Sequence, residues 1–399
     1  DNILKRMWDD AKQYISPIVL DLNGDGIQTV SAENGAFFDL DVNGFAENTG
    51  WVSPDDGLLA LDRNNDDVIN NGTELFGDHT ILKNGTRAAN GFQALAELDD
   101  NPDGRIDECD SLFSQLRIWK DLNGDGYSQD GELFTLEELN IQSLNVKCST
   151  TNNVDEAGNV EIYASTYQRQ DGTTVQMSDY NFATNPMLSM PTELLVVPED
   201  VRQLPYLPGF GTMNDSWQAI VRDSSGELRE LIQSYTNETD TDARSNILDQ
   251  ILYEWTNSEN DASNSRGDYI DGRQLAVLEA FFGQDFQGRL GENPGPRAAA
   301  TLQEVYKGVK EYYNGWLMAQ THLASLFISI SFSWNEENNR AMIDLTAVEA
   351  QIQSELANNR AAPPAPRINT RRFCKPVAPC SSKDFTKPAP SVLWPVKTP

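Results

Sequence analysis

Hydrophobic positions change their period once along this chain. Up to residue 187 they come in short alternating runs, IVLDL (18–22), LLALD (58–62) and SLNVK (143–147), separated by clusters of Asp, Asn and Gly. Alternation of this kind predicts strands with one face buried. EIYAST (161–166) and TTVQMS (173–178), split by a QDG turn at 170–172, predict a β-hairpin. From 191 to 360 apolar residues recur every three or four positions, in SWQAIVRDSSGELRELIQSY, ARSNILDQILYEW, GRQLAVLEAFF and AAATLQEVYKGVKEYYNGWLMAQTHLASLF. That spacing is helical, and Asp271 or Asp242 is placed to cap such helices. LASLFISISF (323–332) predicts a buried helix end or strand. The expected fold is α+β, with a module of short strands and hairpins at 17–187 and a mainly α-helical domain at 191–360. A short segment, 1–16, precedes them, and a Pro-rich basic tail, 361–399, has no period that could bury a core and is expected to be disordered.

Composition sharpens this division. The formal charge is −31, and because the tail is basic, the 360 residues before it carry about −37. Nucleic acid is thereby excluded as a partner, since phosphate contacts need a basic surface. A compact state this acidic repels itself unless cations neutralise it. No apolar run is long enough to span a membrane. The opening DNILKRMWDD has neither an initiator Met nor an apolar signal core, as expected of a piece of a longer protein. Four cysteines without a CxxC, and two histidines, argue against a zinc site and make unpaired thiols the expectation.

The acids are not scattered. DLNGDGYSQDGE places Asp121, Asn123, Asp125, the Tyr127 carbonyl, Gln129 and Glu132 at positions 1, 3, 5, 7, 9 and 12, with Gly126 at position 6. This spacing wraps one hard cation in oxygen, the glycine permits the sharp turn, and the last carboxylate closes the sphere. DDNPDGRIDECD holds a second full set: Asp99, Asn101, Asp103, the Arg105 carbonyl, Asp107 and Asp110. FQALAEL (92–98), SLFSQLRIW (111–119) and FTLEELN (134–140) are expected to be helices around these loops, giving a compact EF-hand-like pair that shares its middle helix. Ile106, at position 8, is expected to make the short strand contact between them.

Three more loops are incomplete. Asp62, Asn64, Asp66, the Val68 carbonyl and Asn70 begin well, but Asp67 replaces Gly and Glu74 falls one position late. Asp21, Asn23 and Asp25 have Ala32 at position 12, and Asp39, Asp41 and Asn43 end at Gly50. Ligands from elsewhere would have to complete these two. An isolated DxNxDG is often only an Asx-rich turn, but five such loops by residue 132 point to calcium. Magnesium prefers six ligands and retained water, whereas zinc and iron prefer nitrogen and sulfur.

SPIVLDLNGDGIQTV, TGWVSPDDGLLALDRNNDDVINNGTELFGD and the hairpin ending MSDYNF resemble the self-processing module of FrpC-type RTX proteins. The stretch LPYLPGFGTMNDSWQAIVRD through IDGRQLAVLEAFFGQ is similar to the segment that follows it there, so the resemblance covers residues 8–355. It implies type I secretion, an extracellular location, and calcium-triggered cleavage of an Asp-Pro bond at the start of the module. Cleavage can be followed by an isopeptide bond to a Lys of another protein. Here the residue before Pro17 is Ser16, and none of the 19 prolines follows an Asp. The family route needs the Asp, so this chain is expected neither to cut nor to ligate itself. The alternative is a calcium-folded structural or adhesive module without bond-breaking chemistry.

Overall fold

The computed structural model describes residues 14–288, 291–335 and 340–359. The tail 361–399 and residues 1–13 lie outside the described residues. A first compact unit runs to Ala324 and a second begins at Ser325.

The first unit opens with a curled, half-barrel-like region of β structure. Its strands are β1 (Ile18–Leu20), β2 (Phe45–Thr49), β3 (Gly57–Leu61), β4 (Arg105–Ile106), β5 (Leu116–Trp119), β6 (Leu133–Thr135), β7 (Ile141–Asn145), β8 (Val160–Arg169) and β9 (Thr174–Pro191). They belong to a twelve-stranded sheet whose main path is β6-β5-β3-β1-β9-β8-β7-β4, with neighbours antiparallel. The hairpin expected at 161–178 is β8–β9, with Ser165 opposite Met177 and a turn closed by Gly172 N–H to the Arg169 carbonyl.

Successive side chains leave a strand on opposite faces, so a sheet covered on both sides reads as a continuous apolar run. That is why IVL and LLAL carry no polar position. Ile18, Leu20, Leu59, Leu61, Leu116 and Ile118 join one core, with Phe92 and Leu95 of a short helix, α1 (Gly91–Ala96). Val19, Leu58, Ala60 and Trp119 join the other, around Phe38, Trp51 and Phe182.

The EF-hand-like pair is not evident. FQALAEL does form α1, but SLFSQLRIW is one 3-10 turn, Phe113–Gln115, followed by strand β5. FTLEELN gives β6 and then turns. The alternation Leu116-x-Ile118-Trp119 feeds both cores at once, and pairing with β3 outweighs the local helical spacing. Ile106 pairs with Leu144 of β7, not with the second loop.

The helical region follows: α2 (Ser216–Arg222), α3 (Glu227–Asn237), α4 (Thr241–Trp255), α5 (Gly272–Phe282) and α6 (Pro296–Gln320). They bury a single cluster that includes Ile232, Tyr235, Leu252, Leu275 and Tyr313. SWQAIVRDSSGELRELIQSY is two helices, because Gly226 takes a left-handed conformation (φ 78°) before α3. Asp271 caps α5 as expected, while α4 is capped by Asp240 rather than Asp242. In the second unit Ser331–Asn335 pairs with Arg340–Asp344, and Thr346–Asn359 is helical. LASLFISISF is not buried: Phe327, Ile328 and Phe332 are exposed.

Candidate cation loops and the residue 16–17 junction

All five Asp-rich loops share one backbone construction. The Asp at position 1 accepts the N–H of the residue at position 6, from Gly26, Gly44, Asp67, Gly104 and Gly126 at 2.8–3.1 Å. The residue at position 3 (Asn23, Asp41, Asn64, Asn101 or Asn123) accepts the N–H two residues on. In four loops the side chain at position 5 does the same for position 7, with Asn43, Asp66, Asp103 and Asp125 accepting from Phe45, Val68, Arg105 and Tyr127. Position 6 sits at positive φ in every loop, Asp67 included (φ 64°). An L-residue pays for that conformation, which is why glycine is the usual occupant.

A buried acid closes each loop, and it is here that sequence spacing misleads. Glu132 accepts Leu122 N–H at 3.0 Å and Gln129 N–H at 3.1 Å. Asp110 does the same for Asp100 and Asp107, at 2.8 and 2.9 Å. Glu74, one position late, still reaches Arg63 and Asn70 at 3.1 and 2.8 Å, so the extra residue is absorbed within the loop. For the loop at Asp21 the closing acid is Asp56, which accepts Leu22 N–H at 3.2 Å and Gln28 N–H at 2.8 Å from just before β3. Nothing in the local spacing marks Asp56; its signal is the cluster VSPDDG before an apolar run.

The loop at Asp39 is closed differently. Asn43 Nδ2 donates to Glu47 Oε1 at 2.9 Å, and Glu47 lies on β2. Among the described residues, Asp39, Asp41 and Glu47 are the three carboxylates whose oxygens all lie within 4.8 Å of one another. Glu47 is 3% exposed, and its Oε2 has no hydrogen-bond partner. Burial, reinforced by the charges of Asp41 and Asp39, pushes its carboxyl up to about 9. Burial likewise holds Asp39 and Asp56 at about 6 and raises Asp41. Such a set holds protons when it lacks a cation, and an orphaned buried oxygen is a donor atom in want of a partner.

Two loops meet. Ser128, at position 8 of the loop from Asp121, accepts Ile69 N–H at 2.7 Å, and Ile69 is position 8 of the loop from Asp62. The loop from Asp99 stands apart from this contact. Asp121 also accepts Trp51 Nε1–H at 2.8 Å, tying its loop to the aromatic core. Cys109 and Cys148 are free and exposed.

Ser16 and Pro17 are buried at the entry to β1. Tyr180 N–H donates to the Pro17 carbonyl at 3.0 Å, and Ile18 N–H to the Phe76 carbonyl at 2.9 Å. Ser16 N–H reaches Asp78 Oδ1 at 3.4 Å, the oxygen that also meets His79 Nδ1 at 2.9 Å. Gly77 packs on the Ser16 carbonyl so closely that a Cβ there would lie 1.6 Å from its oxygen. The 16–17 peptide is therefore clamped on both sides, with the Asp21 loop three residues beyond β1's start.

The SPM domain family matches residues 18–183, the span that holds all five loops and β1 through most of β9. The β-rich region belongs to the self-processing modules of FrpC type. Similarity to the iron-regulated protein FrpA of Neisseria meningitidis serogroup C runs beyond the module, at 40% identity over 245 residues, 61% of this chain. The chain covers 22% of that protein's length. Among the described residues no helix is long and apolar enough to cross a membrane.

Proposed function

We propose that residues 17–187 are a calcium-folded module built around a processing junction that Ser16 has disarmed. The observation that carries this is the buried 16–17 peptide, clamped by Gly77 and Tyr180, in a module of five Asp-rich loops each closed by a buried acid. Asp39, Asp41 and Glu47 hold one cation; Asp21 and Asp25 with Asp56, Asp62 with Glu74, Asp99 with Asp110, and Asp121 with Glu132 hold others. The position 3, 7 and 9 oxygens complete each set in the manner of an EF-hand loop, without its paired helices. Calcium bound there cancels the charge that otherwise opposes the compact state, and stabilises it by mass action. Extracellular modules bind calcium at roughly 10⁻⁴–10⁻³ M, so the chain folds after export, through a type I system, and not before.

With an aspartate in place of Ser16, the side-chain carboxylate attacks its own backbone carbonyl to give a five-membered anhydride. The prolyl nitrogen, held until then in a tertiary amide without an N–H, keeps the C–N electron pair, takes up a proton and departs as the secondary amine of Pro17. Water, or a Lys amine of another protein, then opens the anhydride, the latter giving an isopeptide bond. Serine would need a strained four-membered lactone and is inert. In millimolar calcium, mass spectrometry should find residues 1–16 released from Ser16→Asp and retained in the parent chain. Retention in both removes the processing role. Ser16 itself favours the second reading, a calcium-folded structural or adhesive module, and retention in both would leave that one standing.

A further inference from the structure

One buried acid at the junction takes no part in any loop. Asp179 lies on β9 directly opposite Ile18, and the next residue, Tyr180, holds the Pro17 carbonyl. Its side chain is fully buried. Oδ2 accepts the Gly91 N–H at 2.7 Å where α1 begins. Oδ1 has no partner; Ser16 lies beside it without completing a well-formed hydrogen bond. Asp78 is the other charge that acts on it, with His79 bound to Asp78, and Cys148 feels Asp179 in turn. No Lys or Arg is among these groups.

A prolyl nitrogen leaves far more readily when a proton reaches it as the bond breaks. We propose that Asp179 is the proton donor of the residue 16–17 junction, serving a chain that carries an aspartate in place of Ser16. This rests on the processing reading above. A carboxylate oxygen of that aspartate bonds to its own carbonyl carbon, the C–N pair stays on the Pro17 nitrogen, and that nitrogen takes the proton of Asp179. When water opens the anhydride, one of its protons returns to Asp179, so the donor is regenerated. Two carboxyls side by side cannot both ionise easily, and the more deeply buried one keeps the proton. Burial pushes Asp179 up to about 7, the acid form the step requires. In the Ser16 chain this acid has lost its task, which accounts for its orphaned oxygen.

The test compares the full chain carrying S16D with S16D/D179N and S16D/D179E in millimolar calcium, following release of residues 1–16 across pH. S16D/D179N should fold with calcium by circular dichroism yet release roughly 10²-fold more slowly. S16D/D179E, which keeps a carboxyl, should recover part of the rate. The S16D rate should fall as pH rises beyond about 7, and D179N should abolish that limb. A purely structural Asp179 would change the melting temperature and leave the limb in place. Equal rates with and without Asp179, or an S16D rate that does not fall at high pH, overturn the proposal. If the Asn variant does not fold, the S16D pH profile decides alone. No release from folded S16D at any pH overturns the processing reading itself, a different result from release that persists without Asp179.

Discussion

In the helical region acids serve ordinary ends. Asp215, Asp240 and Asp271 cap helices, and all five Lys/Arg–carboxylate pairs among the described residues lie between Asp200 and Lys310. In the β-rich region a set of nine acids is turned inward. Asp21, Asp39, Glu47, Asp56, Glu74, Asp110, Asp121, Glu132 and Asp179 are all at most 5% exposed. Their partners are backbone amides and each other's neighbours, not basic side chains. Both regions carry excess acid, but the helical one pairs part of it with its own Lys and Arg, whereas the β-rich one buries acids without basic partners, the deficit that the proposed calcium would fill.

The largest effect should come from removing calcium. With a chelator, amide exchange across 18–191 should quicken by orders of magnitude, while the core helices α4, α5 and α6 stay protected. Uniform protection in both regions would mean that calcium does not hold the β-rich region together. Single residues should show the same asymmetry on a smaller scale. Asp121→Ala strands the Gly124, Asp125 and Gly126 amides and the Trp51 N–H, and should cost ~3 kcal/mol in chemical denaturation. Asp240→Ala strips one cap bond from α4 and should cost about 1 kcal/mol.

Much of the architecture could be read from the chain, because periodicity reports which faces are covered. The hairpin at 161–178 and α4 through α6 followed from spacing alone. SLFSQLRIW did not: its apolar positions satisfy a helix as well as a strand, and only the empty place between β3 and β6 decides. At the loops, the consensus positions located the first acid of every set. The closing acid Asp56 escaped because it arrives from outside its loop, just before β3, whereas Glu47 stands at position 9 of its own loop and escaped because the closing acid was expected at position 12, Gly50. Asp179 left a faint trace. It shares the parity of Met177, which faces the core, and a charged residue at such a position signals a special environment.

The protonation of the buried acids offers a finer test. Glu47, Asp39, Asp56 and Asp179 are raised to about 9, 6, 6 and 7 in the folded chain. The calcium-free native state therefore binds more protons than the unfolded one between about pH 4 and 9. Its stability should be greatest at the acidic end and decline as pH rises through that window. Saturating calcium, by replacing the protons, should flatten the decline; urea titrations at several pH values, with and without chelator, measure both slopes. The smallest effect is at position 67. Asp67→Gly relieves the left-handed strain and should raise the melting temperature by the equivalent of ~1 kcal/mol, whereas a Gly introduced within α4 should lower it by about as much.

β9 has a consequence in time. It pairs with β1, β2 and β8, and it places Asp179 opposite Ile18 across about 160 residues of chain. The contact order of the junction is thus close to the length of the whole module, and such contacts form late. A chain emerging from the ribosome exposes Ser16 and Pro17 about 160 residues before the strand that clamps them. The junction is therefore completed only once the whole β-rich module has been made.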